Sequence, residues 1–241
     1  MQLDILAFGA HPDDVELSCG GTLIKQVEEG KKIGLIDLTQ GEMGTRGTAE
    51  TRRTEAENAR KILGAAVREN LKMPDGFVEQ NEESLLSVIR VLRKYRPETV
   101  LANAIHDRHP DHGRASNLLR RACFLSGLKK IETTVDGKQQ EPWRPSKLYF
   151  YIQDRYIKPD FVVDISEYFD KKMDAVFAYN TQFKKENRPD DTEPDTPIST
   201  PDFAHFLEAR AREFGRVAGF KFGEGFVAER LIGVRSLDDL V

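Results

Sequence analysis

Two short segments of this 241-residue sequence hold four of its five histidines, with four aspartates beside them, and these residue types can do acid–base or metal chemistry. The first is Phe8-Gly9-Ala10-His11-Pro12-Asp13-Asp14, which follows an apolar run from Leu3 to Phe8. The second is His106-Asp107-Arg108-His109-Pro110-Asp111-His112-Gly113, which follows Thr99 to Ala104 and contains three of the five histidines. Together they supply His11, Asp13, Asp14, His109, Asp111 and His112, more groups than one metal ion needs. Three protein ligands plus water make an open, catalytic zinc site, whereas four protein ligands make a closed, structural one. The surplus groups can then serve as base, acid and orienting partner. Taken singly, each segment is matched as well by a turn with helix-capping acids, because carboxylates at a helix N-terminus are stabilised without a metal. The occurrence of both, each after a predicted buried strand, favours a site.

The elements that must position these groups follow from hydrophobic periodicity and breakers. Strands are predicted over Leu3 to Ala10, Lys32 to Thr39, Val67 to Met73 and Thr99 to Ala104. Helices are predicted over Asp14 to Gly30, Ala49 to Leu63 and Glu82 to Tyr95, with a glycine-rich loop from Gln40 to Thr48. This βαβαβαβ order implies an α/β class: a Rossmann-like, mostly parallel sheet flanked by helices, with right-handed crossovers. A C-terminal strand and helix extension follows, with a helix at Asp111 to Ser126 and strands at Lys147 to Gln153 and Asp160 to Ile165. Helices at Tyr168 to Lys185 and Pro201 to Ala218 complete it. Both chemical segments then sit at the carboxyl edge of the sheet, where open α/β folds hold ligands, and they meet if their strands are neighbours. Pro110 keeps His109 on the loop and leaves His112 in the first helical turn.

Residues 186–200 are polar and carry three prolines, so they read as a mobile surface loop, either a plain insert or a lid over the site. Lys129 to Gln140, with its Asp136-Gly137 turn signal, reads as a surface hairpin or loop. Gly20 and Gly21 weaken their helix, which close packing against a neighbouring element would explain. No internal repeat or domain boundary is visible, so residues 1–241 are expected to form one domain.

A net charge of -4 without a basic stripe argues against nucleic acid as a partner. The apolar runs are too short to span a membrane. Met1-Gln2-Leu3-Asp4 enters a strand at once, without the basic and apolar regions of a signal peptide, so a cytoplasmic protein is expected. Cys19 and Cys123 are expected to be reduced, buried thiols.

At the two segments the chain resembles the LmbE-like (PIG-L) family of zinc-dependent N-acetylglucosaminyl deacetylases. The shared pattern is Ala-His-Pro-Asp-Asp after the first strand, here Ala10 to Asp14, and His-Pro-Asp-His after the fourth, here His109 to His112. The likeness extends to the arginine-rich start of the second helix, the Met73-Pro74-Asp75 turn and the late Glu224-Gly225-Phe226. It is greatest to the bacillithiol-biosynthesis branch, which removes the acetyl group from N-acetylglucosaminyl-malate. The resemblance implies that His11, Asp14 and His112 hold Zn2+, with Fe2+ as an alternative occupant. It implies Asp13 as general base, and His109 as the group that stabilises the oxyanion or protonates the leaving amine, with Asp111 as its partner. Arg52 is implied to contact the sugar or its acidic aglycone, Arg108 is a second candidate for the acidic end, and Asp75 borders the sugar pocket. Phe203 stands where some members carry a tyrosine. Relatives form homo-oligomers, often hexamers.

These residue types suit amide hydrolysis, which needs a nucleophile, oxyanion stabilisation and a proton for the amine. A zinc ion lowers the pKa of bound water from 15.7 to about 7 and polarises the carbonyl. A carboxylate at Asp111 near His109 would raise the imidazole pKa and fix its orientation. Three rival readings stand beside this one. Two histidines and a carboxylate also form the facial triad of non-haem iron oxygenases, the same hydrolytic site could serve another N-acyl conjugate, and Asp37 mimics the ribose-binding acid of a nucleotide-sugar module. The missing glycine fingerprint makes Asp37 a capping or loop acid instead. His205 reads as a surface or packing residue, and His106 as either exposed or a supporting group.

Overall fold

A computed structural model describes residues 1–183 and 193–239. The first half alternates β1 (Ile5–Gly9), α1 (Asp14–Glu28), β2 (Ile33–Thr39), α2 (Ala49–Leu63), β3 (Val67–Met73), α3 (Glu82–Tyr95), β4 (Thr99–Ala102) and α4 (Pro110–Leu125). A small hairpin, β5 (Thr134–Val135) and β6 (Lys138–Gln139), precedes β7 (Lys147–Tyr151) and β8 (Phe161–Asp164). The extension is α5 (Phe169–Phe177), α6 (Pro201–Ala218) and β9 (Gly223–Ala228).

Seven strands form one sheet in the order β3-β2-β1-β4-β7-β9-β8. The pairs β3-β2, β2-β1, β1-β4 and β4-β7 are parallel, whereas β9 runs antiparallel to both β7 and β8. This is the expected α/β class with a mostly parallel sheet. β1 and β2 are buried along their whole length, as strands covered by helices on both faces must be. Alternate residues of β1 serve opposite faces: Leu6 and Phe8 join the core under α3 and α4, and Ile5 and Ala7 join the core under α1. Strand order reverses between β1 and β4, so a crevice opens beyond their carboxyl ends. The two chemical segments are the loops that leave these neighbouring strands.

α1 is broken at Cys19, whose backbone is non-helical (φ -138°, ψ 18°). The break frees amides of the next turn, and a distant carboxylate takes them. Glu224 on β9 accepts from the amides of Gly21 (3.0 Å) and Thr22 (2.7 Å) and from the Thr22 hydroxyl (2.6 Å). Lys172 on α5 supplies the countercharge at 2.6 Å, and both side chains are buried. Gly21 is required by close packing, since a Cβ there would lie 2.9 Å from Ile165.

Two local expectations are revised. The helix predicted from Tyr168 ends at Phe177, because the chain turns to give the amide and hydroxyl of Thr181 to the Glu55 carboxylate on α2 (2.8 and 2.9 Å). Lys184 and Lys185 lie outside the described residues. Asp37 is neither a cap nor a ribose-binding acid: it lies within β2, buried, and receives both Nε and Nη2 of Arg68 on β3 at 2.7 Å. The hairpin at Asp136-Gly137 is as expected, with both residues at positive φ (52° and 73°), as a tight two-residue turn demands. Cys19 and Cys123 are buried and unpaired. Among the described residues no helix is long and apolar enough to cross a membrane.

Breaking a buried pair leaves an uncompensated charge, which costs about 3–5 kcal/mol. Lys172→Met should lower stability by that order in a urea titration, and adding Glu224→Gln should recover part of the loss.

Candidate active site

The site begins where β1 ends. The backbone at Gly9 folds back so closely that a Cβ would meet the His11 carbonyl at 2.7 Å and the Asp14 Cβ at 3.2 Å. That is why glycine precedes the Ala10-His11-Pro12 turn. Asp13 caps α1 in a left-handed conformation (φ 110°, ψ -27°) without capping through its side chain. Such strain in a non-glycine residue costs about 1–3 kcal/mol and persists only where its surroundings over-determine it. Asp14 opens the helix and is almost completely buried.

β4 delivers the second loop beside the first. His109 caps α4, its Nδ1 accepting from the Asp111 amide at 3.3 Å, and Pro110 starts the helix. This places His112 one turn in, as its spacing from Pro110 predicts. The three imidazoles of His11, His109 and His112 then lie 4.5–5.5 Å apart, centroid to centroid. Asp14 lies between two of them, with Oδ2 3.5 Å from His11 Nδ1 and Oδ1 3.3 Å from His112 Nε2.

Asp14 is held by residues that sequence alone did not single out. Its Oδ2 accepts from the His11 amide and from Asn103 Nδ2, both at 2.9 Å, and its Oδ1 accepts from Gln153 Nε2 at 2.7 Å. The outer nitrogens of the two histidines face carboxylates. His112 Nδ1 lies 2.7 Å from Asp107, which also accepts from the amides of Arg108 and Arg155. His11 Nε2 lies 3.0 Å from Asp75 and 3.7 Å from Asp111.

The last contact corrects the expected pairing of Asp111 with His109. The first turn of α4 aims the Asp111 side chain at His11 and at the amide of Gly76 (2.8 Å), and only its backbone amide reaches His109. The expected rise in the His109 pKa is therefore reversed. Burial, joined by the charges of His11 and His112, lowers it, with Asp14 and Asp111 opposing. Burial alone would also lower His11 and His112. The carboxylates of Asp111, Asp14 and Asp75, as acceptors, instead raise His11 well above its usual value, while Asp14 and Asp107 raise His112 to about 9. Burial works against the Asp14 charge, but the charge of His112 and bonds to both imidazoles hold its carboxyl well below the usual range. For Asp13 burial wins: it lifts the carboxyl to about 7 against the opposing charge of Arg52.

The remaining predicted residues fall in different places. Arg52 is buried on α2 and lines the cavity, with one nitrogen committed to Asp13 and Pro12. Asp75 lines the same cavity, its other oxygen accepting from the Met43 amide at 2.8 Å. Arg108 is exposed at the mouth, 3.4 Å from Asp154. His106 is exposed and faces Arg155 at 2.9 Å, and His205 is exposed on α6; neither lines the cavity.

The cavity has a volume of about 260 Å³, and an apolar wall from Ile198, Phe203, Phe206 and Leu207 faces the histidines across it. Phe203 belongs to the first turn of α6 and stacks on Phe183 and Phe206. Part of the predicted loop, residues 193–200, is tied to the glycine-rich loop. Arg46 donates to the carbonyls of Glu193 (2.9 Å) and Pro194 (3.0 Å), and the Gly47 amide donates to the Glu193 carboxylate at 2.9 Å. Residues 186–192 of that predicted loop lie outside the described residues. Arg210, also unforeseen, projects from α6 to the cavity, donating to the Leu17 carbonyl at 3.1 Å. Its burial lowers its pKa to about 10.

The donor set suits a divalent ion. Two imidazole nitrogens flank one carboxylate, the opposite nitrogen of His112 is bonded to Asp107, that of His11 lies near Asp75 and Asp111, and the side toward the cavity is open. Histidine ligands are commonly fixed in this way by a carboxylate on the other ring nitrogen. Two other groupings, His11 with His109 and His112, and His11 with Asp75 and Asp111, have ligand atoms within 4.8 Å of one another.

The comparisons with known proteins place this geometry in a family. A family model described as GlcNAc-PI de-N-acetylase, PIG-L, matches residues 6–123. A solved structure of a conserved protein from Thermus thermophilus is 37% identical, covers 97% of this chain and 98% of its own, and superposes with a TM-score of 0.85. The chain belongs to the PIG-L family of deacetylases. Diacetylchitobiose deacetylase of Thermococcus kodakarensis is 28% identical over 231 residues, covering 92% of this chain and 81% of the relative. The 4-oxalmesaconate hydratase of Pseudomonas putida is 27% identical, covering 73% of this chain and 72% of the relative.

Removing a carboxylate behind a metal-binding histidine lowers metal affinity about 10–100-fold. Asp107→Asn should weaken zinc binding by that order in a chelator competition, with the fold retained.

Proposed function

We propose that this chain is a metal-dependent hydrolase that removes the acetyl group from an N-acetylglucosaminyl conjugate, with N-acetylglucosaminyl-malate as the substrate. The observation that carries the reading is the cavity floor. There His11, Asp14 and His112 form one donor set, and the Asp13 carboxylate lies beside it. The names of the matched family and of the chitobiose deacetylase support an N-acetylated sugar.

In this reading His11, Asp14 and His112 hold Zn2+ or Fe2+. When bound, the ion would supply a water of lowered pKa and polarise the acetyl carbonyl. Asp13 takes the proton of the attacking water on its cavity-facing oxygen and returns it to the amine nitrogen as the C–N bond breaks. His109 accepts a bond at Nδ1, so its neutral ring carries the proton on Nε2 and can donate to the oxyanion. A neutral donor needs no raised pKa, which agrees with the direction found for His109.

Two guanidiniums support an acidic aglycone. Arg210 and Arg108 both line the cavity, and an arginine fork matches a carboxylate. The apolar wall at Phe203 and Phe206 suits the face of a sugar ring. The cytoplasmic setting and a homo-oligomer belong to the same reading.

The test is amine release from N-acetylglucosaminyl-malate and from free N-acetylglucosamine, with enzyme stripped of metal and reloaded with zinc. Fast, zinc-dependent release that prefers the malate glycoside is expected, and Arg210→Ala should erase much of that preference. Asp13→Asn should keep the metal and lower kcat roughly 10²–10⁴-fold, the usual worth of a general base, whereas His112→Ala should lose the metal. Absence of release from either substrate by zinc-loaded enzyme would contradict the reading and direct attention to other N-acyl substrates or to hydratase-type chemistry.

A further inference from the structure

We propose that Arg52 is a positioning residue for the reaction rather than a substrate ligand. It pins one oxygen of Asp13 so that the other faces the scissile amide. This rests on the reading of Asp13 as the base.

A single nitrogen of Arg52, Nη2, donates to Asp13 Oδ2 at 2.9 Å and to the carbonyl of Pro12. The guanidinium thus grips the turn on both sides of the Pro12–Asp13 peptide. Asp13 is also the residue with the left-handed, strained backbone. Strain of this kind needs an external restraint, and Arg52 is the side chain that supplies one. Asp13 Oδ1 accepts no hydrogen bond among the described residues, and Asp13 lines the cavity. The two oxygens, equivalent in a free carboxylate, are therefore made different, one anchored and one available.

Arg52 is itself placed for this task. It sits in the first turn of α2, which a reciprocal Thr48–Thr51 cap fixes at its start. Gly41, at φ 67°, lets the glycine-rich loop close over the guanidinium, since a Cβ there would lie 3.2 Å from Nη1. The Tyr179 ring lies 5.9 Å from its central carbon. A substrate-reading arginine would present its whole fork to the cavity. This one is buried and has its Nη2 turned to the protein.

A misplacement of about 1 Å in a catalytic group can cost 10²-fold in rate, which sets the size of the expected effect. The experiment is a double-mutant cycle of zinc-loaded wild type, Arg52→Ala, Asp13→Asn and the double variant. Kinetics are measured on N-acetylglucosaminyl-malate and free N-acetylglucosamine, with zinc content and thermal midpoint recorded for each enzyme. If Arg52 acts through Asp13, Arg52→Ala lowers kcat by about 10²-fold on both substrates, leaves KM near its wild-type value, and adds nothing in the Asp13→Asn background. A rise in KM confined to the malate glycoside, or an equal loss of kcat with and without Asp13, would overturn the proposal. Arg52→Lys takes the place of the alanine variant in the same cycle should the latter unfold. Wild-type turnover by zinc-loaded Asp13→Asn would instead defeat the assignment of the base, whatever Arg52 does.

Discussion

The arrangement depends on one buried carboxylate. Asp14 is reached from three adjacent strands of the sheet: the turn after β1 carries it, Asn103 follows β4 and Gln153 follows β7. A buried carboxylate is costly unless hydrogen-bonded and paired. Here the cost is met by a backbone amide, two carboxamides and two imidazoles, each of which is thereby fixed in space. The parallel register of β1, β4 and β7 brings these donors to one point, so the strand ends and the chemistry share a single constraint.

Around that point the charges come in layers. Asp107 stands behind His112, and Asp75 and Asp111 stand behind His11. Each outer carboxylate is in turn held by backbone amides, from Arg108 and Arg155, from Met43, and from Gly76. A carboxylate that raises the proton affinity of an imidazole raises its affinity for a metal ion as well. His109 is treated oppositely: burial, joined by the charges of His11 and His112, lowers its pKa, and a neutral ring is suited to donating a hydrogen bond. Three histidines of one cluster thus sit in two different electrostatic environments.

Much of this was legible in the sequence. The bounds of α2, β3, α3 and α6 coincide with those predicted from periodicity, and the motif residues of both loops meet as the strand order requires. What was missed needs information that periodicity does not carry. Asn103 and Gln153 matter only because β4 and β7 are neighbours, and nothing local marks β7 as the strand to follow β4. Asp107 could have been found, since it lies in the histidine-rich segment, but its role depends on the phase of α4 relative to the loop. The same phase turned Asp111 away from His109. β9 contains two glycines in Gly223–Ala228 and has a weak strand signal; its place between β7 and β8, and the anchoring of α1 through Glu224, come from the sheet. Asp37 was expected to be a capping or loop acid because a carboxylate near a strand end looks the same in sequence whether it caps a turn or meets an arginine on the next strand.

In the proposed function the metal lies between His11, Asp14 and His112, with the outer carboxylates as supports and not as ligands. Anomalous diffraction at the zinc edge from crystals of the zinc-loaded protein tests this directly. The expected result is a peak within bonding distance of His11 Nδ1, Asp14 and His112 Nε2, open to the cavity beside Asp13. A peak instead on His11 Nε2, Asp75 and Asp111 would contradict it, because the ligands and their supports would then have exchanged roles.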